Sequence, residues 1–247
     1  MTPARPLDGS GPTAVIVPVT AADPSQLAQE VRTAADAAPD ILEWRADALL
    51  AAGFDGRIAS LAQTVREAAG GIPLLVTVRT RAEGGAANLT GGATTALHER
   101  LLATGAADLL DVEMLTDPTA ARASLEAAHR AGVRVVGSHH RFDATPDEDE
   151  MLAALHRIAT AGADVAKLAV MPHSPQDVLA LLRATLRAHE ELPVPVVTMS
   201  MGPLGALSRL SGPLTGSAAT FATVGAASAP GQLTLAQVRA ALAALAG

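Results

Sequence analysis

The sequence lacks cysteine and tyrosine altogether, and among its 247 residues it carries one tryptophan (Trp44), three phenylalanines and one lysine, Lys167. Without cysteine, disulfides and thiolate metal sites are excluded. With so few aromatics, the core has to be assembled from many small aliphatic contacts supplied by Ala, Val and Leu. No run is long and apolar enough to span a bilayer, and residues 1–12 lack the basic start and apolar stretch of a signal peptide. That Pro- and Gly-rich stretch is expected to be a disordered tail on a cytoplasmic protein. A net charge of −7 argues against nucleic-acid binding and leaves a small-molecule partner as the expectation.

The scarcity of lysine is the most pointed of these features. Seventeen arginines meet the generic need for surface cations. Arginine cannot lose its proton and attack a carbonyl, because its guanidinium stays charged. Lys167 lies in the apolar run Asp164–Pro172, where an isolated amine is costly to keep charged. A neutral amine in a protected pocket is a nucleophile for Schiff-base chemistry. The alternative is a lysine that snorkels to water or pairs with a carboxylate. Position alone leaves the two balanced.

Short β-like runs alternate with Ala-rich stretches of helical periodicity along the whole chain. Strands are expected at 14–19, 41–46, 73–79, 109–113, 133–137, 165–170, 195–199 and, least clearly, 215–220. Helices are expected at 25–37, 55–69, 94–103, 120–131, 146–161 and 175–190. Ser25, Thr119 and Ser174 stand near helix starts, and Pro146 and Pro175 suit first turns. Eight strands alternating with helices in this length point to an α/β fold, a single-domain (β/α)8 TIM barrel over residues 13–247. An open doubly wound sheet loses support because no G-x-G-x-x-G follows the first strand.

In such a barrel the site forms at the C-terminal ends of the strands, and the unusual polar residues fall there. Glu43, Arg45 and Asp47 are spaced by two and share a strand face; they suit either a site or an internal salt-bridge ladder. Arg79 and Arg81 precede Glu83-Gly84-Gly85. Asp111 and Glu113 end the fourth strand, Ser138-His139-His140-Arg141-Phe142 the fifth, and Lys167 lies on the sixth. The two adjacent histidines point to opposite faces of a strand, so at most one faces the site and they do not chelate one metal ion. Met199 and Met201 suit wall packing. Ser208-Arg209 and Ser228-Ala229-Pro230-Gly231-Gln232 follow later strands. An amine and an imidazole one strand apart supply imine formation and proton transfer.

Taken in order, Leu42–Asp47, Arg79 with Glu83–Gly85, Ser138–Phe142, Lys167–Pro172, Thr198–Gly202, Ser208-Arg209, Gly216-Ser217 and Ala227–Gln232 resemble the type I 3-dehydroquinate dehydratases, Schiff-base enzymes of the shikimate pathway. The resemblance implies a homodimeric (β/α)8 barrel that needs no metal or organic cofactor. It implies that Lys167 forms an imine with the ketone of 3-dehydroquinate, that His140 rather than His139 is the general acid/base, and that Glu83 orients this histidine. It further implies that Arg209, Ser228 and Gln232 hold the substrate carboxylate and that Glu43, Arg45 and Arg79 hold its ring hydroxyls. The Ser228–Gln232 loop would be a mobile lid. Arg141 is expected to place an extra cation beside the base. Two other readings stand beside this one: a lysine-dependent aldolase barrel acting on a sugar-like ketone, and a non-catalytic binding barrel in which the charges are only a structural ladder.

Overall fold

Strand periodicity and helical periodicity decide the architecture here. A computed structural model describes residues 7–225 and 232–246. Eight strands form one parallel sheet: β1 (Ala14–Val19), β2 (Ile41–Arg45), β3 (Leu74–Thr77), β4 (Leu109–Glu113), β5 (Arg134–Arg141), β6 (Val165–Val170), β7 (Val196–Ser200) and β8 (Ala219–Phe221). From β1 to β7 each strand pairs with its sequence neighbour, and β1 also pairs with β8, giving the order β7-β6-β5-β4-β3-β2-β1-β8. The seam between β7 and β8 is closed by a parallel bridge from Val196 to Ser217 and by the Ala218 N–H donating to the Val196 carbonyl at 2.8 Å. The expected (β/α)8 barrel is the observed fold.

The helices are α1 (Pro24–Asp36), α2 (Asp47–Ala51), α3 (Ile58–Ala69), α4 (Gly92–Leu102), α5 (Pro118–Arg130), α6 (Glu148–Thr160), α7 (Pro175–Glu191), α8 (Gly212–Thr215) and α9 (Leu235–Ala246). Their starts follow capping chemistry. At α7, Ser174 accepts from the Asp177 N–H while the Asp177 side chain accepts from the Ser174 N–H, a reciprocal capping box with Pro175 in the first turn. At α1 and α5 the caps are Asp23 and Asp117, each two residues before the expected Ser25 and Thr119. A carboxylate at that position accepts from the next turn's backbone N–H, and the serine and threonine fall inside the helix. Pro146 precedes α6, which Asp147 caps.

Two layers of core result from strand alternation. Odd side chains of β2 and β4, such as Ile41 and Leu109, meet even ones of β1 and β5, such as Ile16 and Val136, in a barrel interior completed by Leu75, Val165 and Val197. Their neighbours on the opposite faces, including Trp44, Val76 and Leu168, pack outward against the helices with Leu27, Leu61, Leu155 and Leu181. Burial is continuous across this second layer, and small aliphatics dominate it.

Three expectations shift. The fifth strand runs to Arg141, four residues past the expected end. The eighth begins at Ala219, because Gly212–Thr215 forms a helical turn where a strand was expected to open. Leu7, within the expected tail, is buried and joins the interior cluster with Ile16 and Ile41, so the leader contributes a side chain to the core. No described helix is long and apolar enough to cross a membrane.

Candidate active site

The interior changes from apolar to charged toward the C-terminal ends of the strands. Following the inward parity, Ile41 gives way to Glu43 and Arg45, Leu109 to Asp111 and Glu113, Val136 to Ser138 and His140, and Val165 to Lys167. A cavity of about 100 Å³ opens there. It is lined by Glu43, Arg45, Arg79, Glu83, His140, Lys167, Arg209 and Gln232, together with Gly84, Phe142, Ala169, Met199, Met201 and Phe221. Every expected site residue that is described therefore borders one cavity. Ser228 lies outside the described residues, as does the lid apart from Gln232.

Lys167 is not the isolated amine that its neighbours along β6 suggest. Its Nζ donates to Asp111 Oδ2 at 3.0 Å, and it lies 4.9 Å from the centre of the Phe221 ring. Asp111 also accepts from Arg79 Nη2 at 2.8 Å and from Ser138 Oγ at 2.7 Å. Burial alone would raise the Asp111 carboxyl, but Arg79 and Lys167 outweigh it and hold the group below the usual carboxylate range. Asp111 was noted in the sequence only as one of two strand carboxylates. Its signal was the Asp-x-Glu spacing on the strand facing Arg79: inward carboxylates in a barrel require cations.

Arg79 is the hub of this network. Its Nη1 reaches Glu113 at 3.0 Å, Ser138 at 3.0 Å and Glu83 at 3.4 Å, in addition to the Asp111 contact. Burial would depress its pKa, but these carboxylates raise it above the ordinary arginine value. Glu113 in turn accepts from the Thr80 backbone N–H at 2.8 Å and the Thr80 hydroxyl at 2.6 Å.

Glu83 holds both histidines. His140 Nδ1 lies 2.8 Å from Oε2 and His139 Nδ1 3.1 Å from Oε1, while the Thr116 hydroxyl donates to Oε1 at 2.6 Å. Burial works to raise the Glu83 carboxyl, but the histidine hydrogen bonds and Arg79 bring it down to about 2. Strand alternation still separates the two imidazoles: His140 lines the cavity and His139 borders an outer cleft with Arg141. Both nevertheless converge on one carboxylate from opposite sides of the strand end, which spacing alone did not foresee.

His140 is largely buried, and its pKa is pushed down to about 3, first by burial and then by the Arg79 charge, with Lys167 adding to the effect. It is a neutral base at ordinary pH. With Nδ1 facing Glu83, the carboxylate selects the Nδ1–H tautomer and leaves Nε2 as the acceptor. Arg141 does not supply the neighbouring cation. It turns to Asp143, with two contacts of 3.0 Å, and to Glu150. The depressing charge comes from Arg79 across the barrel.

The Gly84-Gly85 pair has a steric reason. Gly84 has φ +76°, and a Cβ there would run into the Phe142 ring, which stacks near His140 at 6.4 Å between centroids. A Cβ on Gly85 would collide with the Arg79 carbonyl. The loop thus brings Glu83 close to the strand ends only because both side chains are absent.

On β2 the Glu-Arg-Asp series divides. Asp47 starts α2 rather than continuing the strand, and it binds Arg45 through two parallel contacts of 2.8 Å. Glu43 accepts from the Thr77 hydroxyl at 2.8 Å.

Arg209 differs from the other cations. It ends a 3-10 segment, Pro203–Arg209, that is tied to β7 by the Ser200 N–H donating to Ser208 Oγ at 2.9 Å. Only 2% of Arg209 is exposed, yet it forms no ion pair among the described residues and its Nε has no hydrogen-bond partner. Burial lowers its pKa with nothing to oppose it. A buried guanidinium without an anion is costly, and it lines the same cavity as Lys167.

Comparison with known proteins bears on this arrangement. The family model described as type I 3-dehydroquinase matches residues 15–247. The chain belongs to the type I 3-dehydroquinase family. It is 43% identical over 226 residues to the 3-dehydroquinate dehydratase of Geobacillus thermodenitrificans, spanning 91% of this chain and 88% of the relative. It is 44% identical over 231 residues to that of Lactiplantibacillus plantarum, spanning 94% and 92%. Among solved structures, the type I enzyme of Clostridium difficile superposes with a TM-score of 0.91 at 34% identity, covering 97% of this chain and 94% of that one. Membership in the type I family makes the chain an enzyme of the hydro-lyase class.

Proposed function

We propose that this chain dehydrates 3-dehydroquinate to 3-dehydroshikimate, a step of the shikimate pathway, through an imine on Lys167. The observation that carries the reading is the buried Arg209, which forms no ion pair among the described residues, on the cavity that also holds Lys167 and His140. A carboxylate-bearing ketone supplies what both groups lack: an anion for the guanidinium fork and a carbonyl for the amine.

The Lys167 amine adds to the C3 ketone and water leaves, giving the imine. A protonated imine is a stronger electron sink than the ketone, so the C2 proton becomes more acidic. His140 Nε2 takes that proton while Nδ1–H stays on Glu83, which stabilises the imidazolium that results. The same imidazolium gives its proton to the C1 hydroxyl, which leaves as water. Hydrolysis of the imine releases the product and restores Lys167. Asp111 positions the amine by its 3.0 Å contact. Glu43 and Arg45, held by Thr77 and Asp47, present fixed polar groups to the ring hydroxyls. Arg79 borders the cavity, and its charge adds to burial in keeping His140 neutral. Gln232, with Ser228, completes the carboxylate end. The related Clostridium difficile structure carries covalently modified comenic acid, which supports covalent chemistry in this family.

The enzyme is proposed to act as a cytoplasmic homodimer. Among the described residues, five of the seven exposed large hydrophobics, Leu179, Leu186, Leu204, Leu207 and Leu214, lie on α7, the 3-10 segment after β7 and α8. These segments pack against one another, and such an apolar surface suits a second copy.

Borohydride reduction with 3-dehydroquinate, followed by mass spectrometry, tests the chemistry. One side-chain adduct on the peptide containing Lys167 is expected. Turnover without an adduct would remove the imine from the mechanism, and faster conversion of a phosphorylated ketose would favour an aldolase.

A further inference from the structure

Behind the barrel wall, between the C-terminal ends of β3 and β4 and the helices α4 and α5, lies a second cavity of about 190 Å³. It lies beside the active site, with Glu113 and Thr80 in its lining, but Lys167, His140 and Arg209 do not border it. His98, on α4, lines it with 2% exposure.

Both ring nitrogens of His98 are buried and neither has a hydrogen-bond partner, a combination found on no other side chain among the described residues. Native proteins rarely leave two such atoms unsatisfied. Several polar groups nearby are committed elsewhere. Ser124 Oγ donates to Thr95 Oγ1 at 3.4 Å, Thr95 donates to the Ala120 carbonyl at 3.2 Å, and both Glu113 oxygens are taken by Arg79 and Thr80. Burial drives the His98 pKa down to about 4, so the ring is neutral and offers one donor and one acceptor.

We infer that this cavity is a binding site for a small neutral organic molecule that carries an apolar ring or chain and one hydroxyl group. A hydroxyl can donate to the bare ring nitrogen or accept from the protonated one, so it can engage whichever side of the neutral imidazole it meets. Val78, Val112 and Ala121 supply apolar wall, and Glu113 and Asp117 in the lining disfavour an anion. The volume suits a single ring, since an apolar protein cavity of roughly 150 Å³ accepts benzene.

Phenol is the probe. It is titrated into the full-length enzyme while the histidine ring nitrogens are followed by 15N NMR, and crystals soaked with it are solved at high resolution. Phenol is expected in the cavity with its oxygen within hydrogen-bond distance of His98. His98→Leu should weaken binding by about tenfold, and His98→Gln, which keeps a donor and an acceptor, should stay within about threefold of the parent. Ala120→Leu, filling the space from α5 with His98 intact, should abolish binding and serves if the His98 variants do not fold. Two waters on His98 with no phenol in the cavity would overturn the inference. So would equal phenol affinity in the parent and in Ala120→Leu.

Discussion

The two sides of the active-site mouth handle charge in opposite ways. From β3 to β6, Arg79, Asp111, Glu113, Glu83, His140 and Lys167 form a connected network in which each charged group meets a partner. From β7 to β8 the wall is Met199, Met201 and Phe221, with Arg209 the lone charge and no anion paired with it among the described residues. A network whose charges are already paired with one another holds its groups in place and sets their protonation. A buried charge left without a partner marks where the ligand must bring its own. On the proposed function, the first side serves chemistry and the second recognition.

Substitutions should separate the two sides. The largest effect is expected from Lys167→Arg, which keeps a cation against Asp111 but cannot form an imine. Turnover should fall by at least about 10⁴-fold with no borohydride adduct; substantial activity would place the chemistry elsewhere. His140→Ala should cost about 10²–10⁴-fold in kcat while the adduct on Lys167 still forms, and loss of the adduct would mean that His140 is needed before elimination. On the recognition side, Arg209→Leu should raise KM about 100-fold and leave kcat within a few-fold. A drop confined to kcat would erase the distinction between the two sides.

Acid stability probes the network more gently. His140 and His98 are neutral in the fold with pKa values near 3 and 4, against an ordinary 6.5. Between these limits the unfolded chain binds more protons, so stability is lost as pH falls below 6.5. From pH 6.5 to 5 each histidine should contribute a loss on the order of 1–2 kcal/mol, measurable by urea titration at several pH values. A flat profile over that range would mean the two rings are protonated in the fold. The smallest effect is expected from His139→Ala, about threefold or less in kcat/KM, because Thr116, His140 and Arg79 still hold Glu83. A loss like that of His140→Ala would show that both imidazoles act.

Most of the barrel is legible in the sequence because each strand and helix announces itself by its own period. The Ser174 capping box and the alternation along β2, β4 and β6 are local signals. The parts that were not legible depend on partners distant in sequence. Lys167 and Asp111 are 56 residues apart, and nothing near either one indicates the other. Arg141 lies beside the base in sequence, yet the strand turns it outward to Asp143. The shared use of Glu83 by His139 and His140 depends on a loop that approaches the strand end because Gly84 and Gly85 have no side chains. β8 was displaced because only three of its residues are extended, too few to show a period.

Trp44 is fully buried on the outer face of β2, between Glu43 and Arg45 on the inner face. Because the chain has no tyrosine and no second tryptophan, its intrinsic fluorescence excited at the red edge comes from this one indole. The enzyme therefore carries a single-site optical reporter whose two sequence neighbours, Glu43 and Arg45, line the candidate active site. Quenching or a spectral shift on titration with a ligand would register events at β2 without any label, and emission during unfolding would time the opening of this one strand.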